Sequence, residues 1–388
     1  MAVNRAVGIV DLSSYEVEVK AIPQRLRELY LGGKGIDMYL LYNLLKPEID
    51  SLDPENVLLI SAGLLTATPA PAPTRIHVAG KSPVSGLVES FYMGGFLGPE
   101  LRFAGFDHLM IRGRASKPVY LWVHNGKVEI RDALALWRAD PRECQAVIRE
   151  ELDDEDVQVM SIEVAGENAR RLAKTHSGIN KNDGLGGIGA LMGSKKIKAI
   201  AIRGTMSIRI ADPDEALRRY SELLHSMHSS LREVERLGQT ITPWILFCQD
   251  TLSALADALG ICKFQALFLF PDVFGWEEYG RILETVTGLK YTREQLMDVG
   301  ERICNIERLL NIREETSQKE GKLLRDYVRC SILQQQQPGI VPGSINDRQG
   351  FEQMLSDYYE IHGWDVEGRP KPETLKRLGL DQEPSHML

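Results

Sequence analysis

The sequence predicts an α+β fold in two parts: a β-rich N-terminal domain with helices over residues 1–210, then a mainly helical domain over 211–388. Two observations carry that reading. Up to about residue 204, short runs of alternating or β-branched residues are punctuated by Gly, Pro and Asn, as in strands joined by tight turns. At Ala211-Asp212-Pro213 the pattern changes: Asp212 suits a helix cap, Pro213 the first helical position, and Asp214 and Glu215 an acidic first turn. At 388 residues, each part is long enough to bury its own core.

Residues 6–20, AVGIVDLSSYEVEVK, alternate around an LSS turn and predict a β-hairpin, followed by one helix from about Pro23 to Leu45. Strands are expected at Val57–Ala62, Thr74–Ala79, His108–Arg112, Pro118–His124 and Lys127–Arg131. A helix over Asp140–Leu152 and a strand over Val157–Ala165 precede a glycine-rich loop, Gly184–Lys195, and a last strand at Ile197–Ile202. Beyond the switch, helices are expected near 213–237, 251–260, 276–286, 292–313 and 351–361, with Gln334–Ser344 as a loop.

Composition narrows the function. A net charge of -8 argues against a general nucleic-acid binder, which needs a basic face, but leaves room for an anionic ligand held by local Arg and backbone N–H groups. Met1 to Asp11 lacks the basic-then-apolar pattern of a signal peptide, and the most apolar run, Ala266 to Phe270, is too short to span a bilayer. A cytoplasmic protein without membrane contact is expected. The cysteines at 144, 248, 262, 304 and 330 are scattered and none forms CxxC, which fits reduced thiols and shows no locally built zinc or iron–sulfur site.

Four segments bear chemistry. Ser61 to Arg75, SAGLLTATPAPAPTR, is a rigid small-residue loop, and Arg75 offers paired donors to a phosphate. Gly94 and Gly95 add unhindered N–H groups, although the same residues also read as structural turns with Arg75 in an ion pair. Asn182 to Lys196, NDGLGGIGALMGSKK, could wrap a pyrophosphate through Gly186, Gly187 and its neighbours, yet it fails both the Walker and dinucleotide patterns. In Asp257-Ala-Leu-Gly-Ile-Cys262, Gly260 suits a helix cap, Asp257 can accept hydrogen bonds from a ring, and Cys262 is either a soft iron ligand or a buried thiol. Glu222, His225 and His228 share one helix face, as metal ligands or as solvated side chains.

In combination and order these segments resemble the aldehyde:ferredoxin oxidoreductase family. The likeness runs through NVLLISAGLLTATPAPAPTRIHVAGKSPVSG, GGFLGPELRFAGFDHLMIRGRA, IEVAGENARRLAKTHS and GGIGALMGSKKIKAIAIRG, and resumes at WILFCQDTLSALADALGICKF and DYYEIHGWDVEGRPKPETLKRLGL. It implies an N-terminal base of two β-sheets with helical domains closing over tungsten (or molybdenum) held by pterins. A [4Fe–4S] cluster there passes electrons to ferredoxin, and aldehydes become carboxylates. Arg75 then matches the arginine beside a pterin phosphate, with Gly94 and Gly95 as the adjoining loop. Asp257, Gly260 and Cys262 match a DxxGLC motif whose Asp bonds a pterin and whose Cys ligates the cluster.

The departures are equally specific. The CxxCxxxC of the cluster, a second pterin motif and the catalytic Glu and His have no counterpart, and residues 205–243 stand where the family's central block lies. Tyr92 replaces a pterin-contacting Asn, and Leu185 an Arg. The catalytic residues are therefore unknown, and a cluster requires ligands from a partner. Two functions follow from the resemblance: a tungsten- or molybdenum-pterin aldehyde oxidoreductase, or a non-catalytic pterin-binding or accessory subunit that pairs with a full-length relative, as a homo- or hetero-oligomer.

Overall fold

The computed structural model describes residues 5–177, 187–230, 242–269, 273–317 and 348–381. The hairpin forms as expected, β1 (Ala6–Asp11) pairing antiparallel with β2 (Glu16–Ala21). The expected helix over 23–45 is two helices, α1 (Gln24–Tyr30) and α2 (Gly33–Leu44). The break has a tertiary cause. Gly33 has φ +42°, and a Cβ there would lie 2.5 Å from the carbonyl oxygen of Asp257, so the chain bends where another helix end presses on it.

Next come β3 (Leu58–Ala62), β4 (Ile76–Lys81), β5 (Val88–Met93), α3 (Leu97–Phe103) and β6 (Phe106–Arg112). They complete a six-stranded sheet of order β2-β1-β6-β3-β4-β5, antiparallel except where β1 meets β6. A second, five-stranded sheet is built from β7 (Val119–His124), β8 (Lys127–Asp132), β9 (Gln158–Ile162), β10 (Thr175–Ser177) and β11 (Ile197–Arg203), in the order β10-β9-β11-β7-β8. Strands β5 and β10 carry too many polar residues to show in the sequence.

Between β8 and β9 lies α4 (Pro141–Leu152), whose Asp140 carboxylate accepts from the N–H groups of Arg142 and Glu143. The expected strand over 157–165 stops at Ile162 and gives way to the short α5 (Val164–Glu167). Much of the expected glycine-rich loop is helical: α6 (Ile188–Ser194) starts directly after Gly187.

The two sheets stack through an apolar core. Leu58, Ile60, Ile76, Val78, Leu109 and Ile111 of the first meet Leu121, Val123, Ile200 and Ile202 of the second. Outside the five-stranded sheet, Cys144 and Ile148 of α4 cover Tyr120, Val159 and Ala201. The opposite face of the six-stranded sheet is covered by helices.

Those helices are α1, α2, α8 (Pro243–Leu259), α9 (Trp276–Thr287) and α10 (Arg293–Ser317), with α7 (Pro213–Ser230), α11 (Arg348–Ile361) and α12 (Pro372–Leu378) beside them. Helix α8 begins earlier than its periodicity predicts, because Thr242 Oγ1 accepts from Ile245 N at 3.3 Å and Pro243 fits the first turn. The molecule is thus layered as helices, six-stranded sheet, five-stranded sheet, helix, the α+β class expected. Among the described residues no helix is long and apolar enough to cross a membrane. The expected loop at 334–344, Cys330 and the end of the 213–237 helix lie outside the described residues.

Candidate functional site

The site forms where the C-terminus of α8 runs into the proline-rich loop between β3 and β4. A helix end leaves its last carbonyls without intrahelical partners. Here the loop supplies them: Leu64 N donates to Ala258 O at 3.0 Å, Leu65 N to Leu259 O at 2.9 Å, and Arg75 N to Gly260 O at 3.1 Å. Cys262 N returns a bond to Ala72 O at 3.2 Å. The backbones touch so closely that a Cβ at Gly63 would lie 2.0 Å from Gly260 N, and Gly260 itself turns the chain at φ +78°. The loop must therefore be made of small residues, which is what the sequence displays.

This docking brings together two residues far apart in the chain. Arg75 Nη2 donates to Cys262 Sγ at 2.8 Å. Both side chains are half-buried. Burial pushes the Cys262 thiol up, but the Arg75 guanidinium and the N–H groups of Gln265 and Phe264 outweigh it, so the pKa falls below that of an ordinary thiol. The guanidinium also lies over Gly94, where a Cβ would stand 2.9 Å from Nη1. The next residue, Gly95, has φ +104° and open space beyond its Cα. Arg75, Gly94, Gly260 and Cys262 thus form one cluster.

Asp257 sits one turn back on α8 and is buried, its carboxylate 3.0 Å from Lys263 Nζ. That ammonium also lies 4.4 Å from the centre of the Tyr92 ring. Burial pushes the Tyr92 phenol well up, reinforced by the nearby Asp257 and Glu307 carboxylates. The hydroxyl faces Asp257 without completing a hydrogen bond in good geometry, and it has no other partner among the described residues. Lys34 and Glu307, 2.7 Å apart, close the far side.

Beneath Tyr92 lies a polar row that the sequence did not reveal. Strand register places His108 of β6, Ser61 of β3, His77 of β4 and Tyr92 of β5 side by side on the helix-facing side. The carboxylate of Asp37, from α2, caps the row. It accepts from Ser61 Oγ, while His77 Nδ1 lies 2.5 Å from Oδ2 and His108 Nδ1 2.8 Å from Oδ1. Burial alone would raise the Asp37 pKa, but His108 and His77 hold it down to about 2. The available signal was two histidines at positions where alternation calls for core residues.

Other sequence candidates fall elsewhere. Gly187 packs against the Arg171 carbonyl and Pro83, away from Arg75, and Gly186 and Leu185 lie outside the described residues. Lys195, at the end of the same segment, is a buried strut, its Nζ on the carbonyls of Pro54 (2.8 Å) and Gly113 (3.2 Å). Ser194 Oγ bonds Leu191 O at 2.9 Å, within its own helix. Glu222 is taken by Arg218 and Arg219 on the α7 surface, and His228 lies beyond the side chains described. Among the described residues no three His, Cys, Asp or Glu side chains converge as a metal-binding group.

Comparison with known proteins gives a consistent match along the chain. Residues 7–204 match the profile of the aldehyde ferredoxin oxidoreductase N-terminal domain, and residues 195–380 that of its domains 2 and 3. The chain is 41% identical over 203 residues to the tungsten-containing aldehyde ferredoxin oxidoreductase of Pyrococcus furiosus, covering 52% of this chain and 34% of that protein. The corresponding Thermococcus kodakarensis protein is 38% identical over 220 residues, 57% of this chain and 36% of the relative. A third relative, the aliphatic sulfonate oxidoreductase WOR-like subunit of P. furiosus, is 34% identical over 219 residues, 53% of this chain and 35% of that one. The matched segment spans about a third of the length of these curated relatives. Among solved structures, a chain of the active site complex BamBC of benzoyl coenzyme A reductase, in complex with 1,5-dienoyl-CoA, superposes with a TM-score of 0.82. That likeness covers 97% of this chain and 98% of the other, and at 19% identity it is a likeness of fold.

Proposed function

The chain belongs to the aldehyde ferredoxin oxidoreductase family, and from that premise we propose that it is a metallopterin-binding subunit of an oxidoreductase, working beside a full-length family subunit. The observation that carries the reading is the Arg75–Cys262 contact, which joins segments 187 positions apart and sets the guanidinium over Gly94, with open space at Gly95. The parts fit a pterin. Arg75 would hold the phosphate, the Gly94 and Gly95 backbone would lie against it, and Asp257 would exchange Lys263 for N–H groups of the ring. The unpartnered Tyr92 hydroxyl faces the same space.

A cluster fits less well. Cys262 is the one family cluster ligand, and no group of three ligating side chains converges among the described residues, so the remaining ligands would come from the partner subunit. When bound, a tungstopterin or molybdopterin supplies a redox metal that can take two electrons from an aldehyde as water provides the carboxylate oxygen. Residues 1–210 would form the pterin-binding base and 211–388 the helical cover. Two comparisons favour a subunit over a self-sufficient enzyme: one relative is itself described as a WOR-like subunit, and the structural neighbour is part of a complex. The second reading is an aldehyde oxidoreductase that delivers electrons to ferredoxin unaided.

Elemental analysis after oxygen-free purification, with and without a co-expressed full-length relative, tests both. Near-stoichiometric W or Mo, lost in Arg75→Ala, supports pterin binding. Aldehyde oxidation by the chain alone would favour the second reading. Absence of W and Mo from both preparations would refute the proposal.

A further inference from the structure

Every polar group taken into a protein interior needs a partner, and an unpartnered cluster of them marks where one is supplied from outside the chain. Three such atoms sit together here. His77 Nε2 and Ser90 Oγ are buried and have no hydrogen-bond partner among the described residues, and the buried Tyr92 OH faces the Asp257 carboxylate without completing a bond in good geometry. They are not scattered. Tyr92 is the direct cross-strand neighbour of His77, their ring centres 5.1 Å apart, and Ser90 lies two residues along β5 on the same face.

Asp37 makes the imidazole directional. Its carboxylate takes the Nδ1 side of His77 at 2.5 Å, and His77 is only 1% exposed. An anionic carboxylate accepts and cannot donate, so Nδ1 carries the proton and Nε2 is the nitrogen left to take a partner, an acceptor in the Nδ1–H tautomer. Nε2 lies across the ring from Asp37, and the neighbouring ring on β5 is Tyr92. His108 is oriented by the same carboxylate, but it stands on β6, two strands away, beside Val7 of β1 and near the Arg27 guanidinium. Of the two imidazoles, only His77 is the cross-strand neighbour of Tyr92.

We infer that His77, oriented by Asp37, is a hydrogen-bond acceptor for the N–H edge of a pterin ring, with Tyr92 and Ser90 as flanking hydroxyl partners. The inference rests on the metallopterin reading and adds to it a recognition element on β4 and β5. It also gives Tyr92 a role: together with His77 it offers one hydroxyl and one acceptor in place of a side-chain amide. Asp257 and His77 then bracket the ligand, a carboxylate at the end of α8 and an imidazole on the sheet.

The test uses the full chain with 6-hydroxymethylpterin as probe, titrated by quenching of the pterin's own fluorescence. We expect His77→Phe to weaken binding about tenfold, the ratio that one well-placed hydrogen bond typically gives, and His77→Gln, which keeps an acceptor, to restore most of it. Asp257→Asn serves as the control on the underlying reading. Should the probe bind wild type and weaken with Asp257→Asn yet ignore His77→Phe, the His77 inference is overturned while pterin binding stands. No binding by wild type at any accessible concentration would overturn both. A second readout does not depend on the variants folding: nitrogen NMR of the histidines should show the His77 Nε2 resonance moving when pterin is added, with His108 unchanged. An unmoved His77 resonance at saturation also refutes the inference.

Discussion

The two faces of the six-stranded sheet are made by the same strands and follow opposite rules. Toward the second sheet, Leu58, Ile60, Ile76, Val78, Leu109 and Ile111 are wholly apolar and buried. Toward the helices, the alternate positions of those strands carry the polar Ser61, His77 and His108, capped by Asp37, beside the apolar Leu59, Ala79 and Met110. One face is stabilised by area removed from water and tolerates any residue of suitable shape. The polar row on the other depends on complete hydrogen bonding, and it is completed for Asp37 but not for His77 Nε2, His108 Nε2 or Tyr92 OH. Both faces are buried, so burial alone does not separate scaffold from site. The unfinished bonding does.

The sharpest way to break this contrast is Asp37→Ala. It strands two histidines and a serine without their acceptor, and we expect a loss of about 3–5 kcal/mol in urea unfolding. A loss under 1 kcal/mol would mean that the row is not the ordered network described. On the apolar face, Leu109→Ala should cost about 3 kcal/mol through lost burial and a cavity between the sheets. The two variants then part company in acid.

The Asp37 pKa is depressed to about 2 from an ordinary 3.8, so the unfolded chain takes up its proton first as pH falls. The stability contributed is complete above about pH 4, and about 2 kcal/mol of it is lost as pH falls toward 2. Burial likewise holds His108 below the usual histidine value, outweighing the attraction of Asp37, which adds a loss of the same sign beginning near its ordinary 6.5. Stability measured against pH should therefore decline toward acid in wild type and Leu109→Ala alike; in Asp37→Ala the step between about pH 4 and 2 is lost, while His108, without its carboxylate, steepens the decline below its ordinary 6.5. Parallel profiles for all three would contradict the assignment.

The smallest effect expected is at Cys262. Removing the guanidinium in Arg75→Ala takes away the partner that lowers the thiol pKa, so alkylation by iodoacetamide at pH 7 should slow about three- to tenfold. An unchanged rate would show that the 2.8 Å contact does not govern the thiol.

Some of the site was legible in the chain. Small residues and prolines before Arg75, the Gly94-Gly95 pair and the Asp257–Cys262 segment stood out by composition, and the family resemblance tied them together. Lys263 and Lys34 did not, since a lysine near a carboxylate in space leaves no mark in local sequence. The glycine-rich stretch at 184–195, expected as a loop, is helical from Ile188. Its glycines allow α6 to pack tightly, as at Gly193, where a Cβ would stand 1.7 Å from the Gly166 carbonyl oxygen.

What the sequence determined by itself is what short-range physics controls: the two-residue period of the strands, the helical period after residue 212, and the caps at Asp212 and Gly260. What only the tertiary structure decided is whatever needs distant segments in contact. The helix expected over 23–45 divides because the Asp257 carbonyl presses on Gly33, more than 200 positions away. The row at His108, Ser61, His77 and Tyr92 exists because strand register aligns four separate strands. Register and helix docking are set by the core as a whole, and no window of sequence contains them.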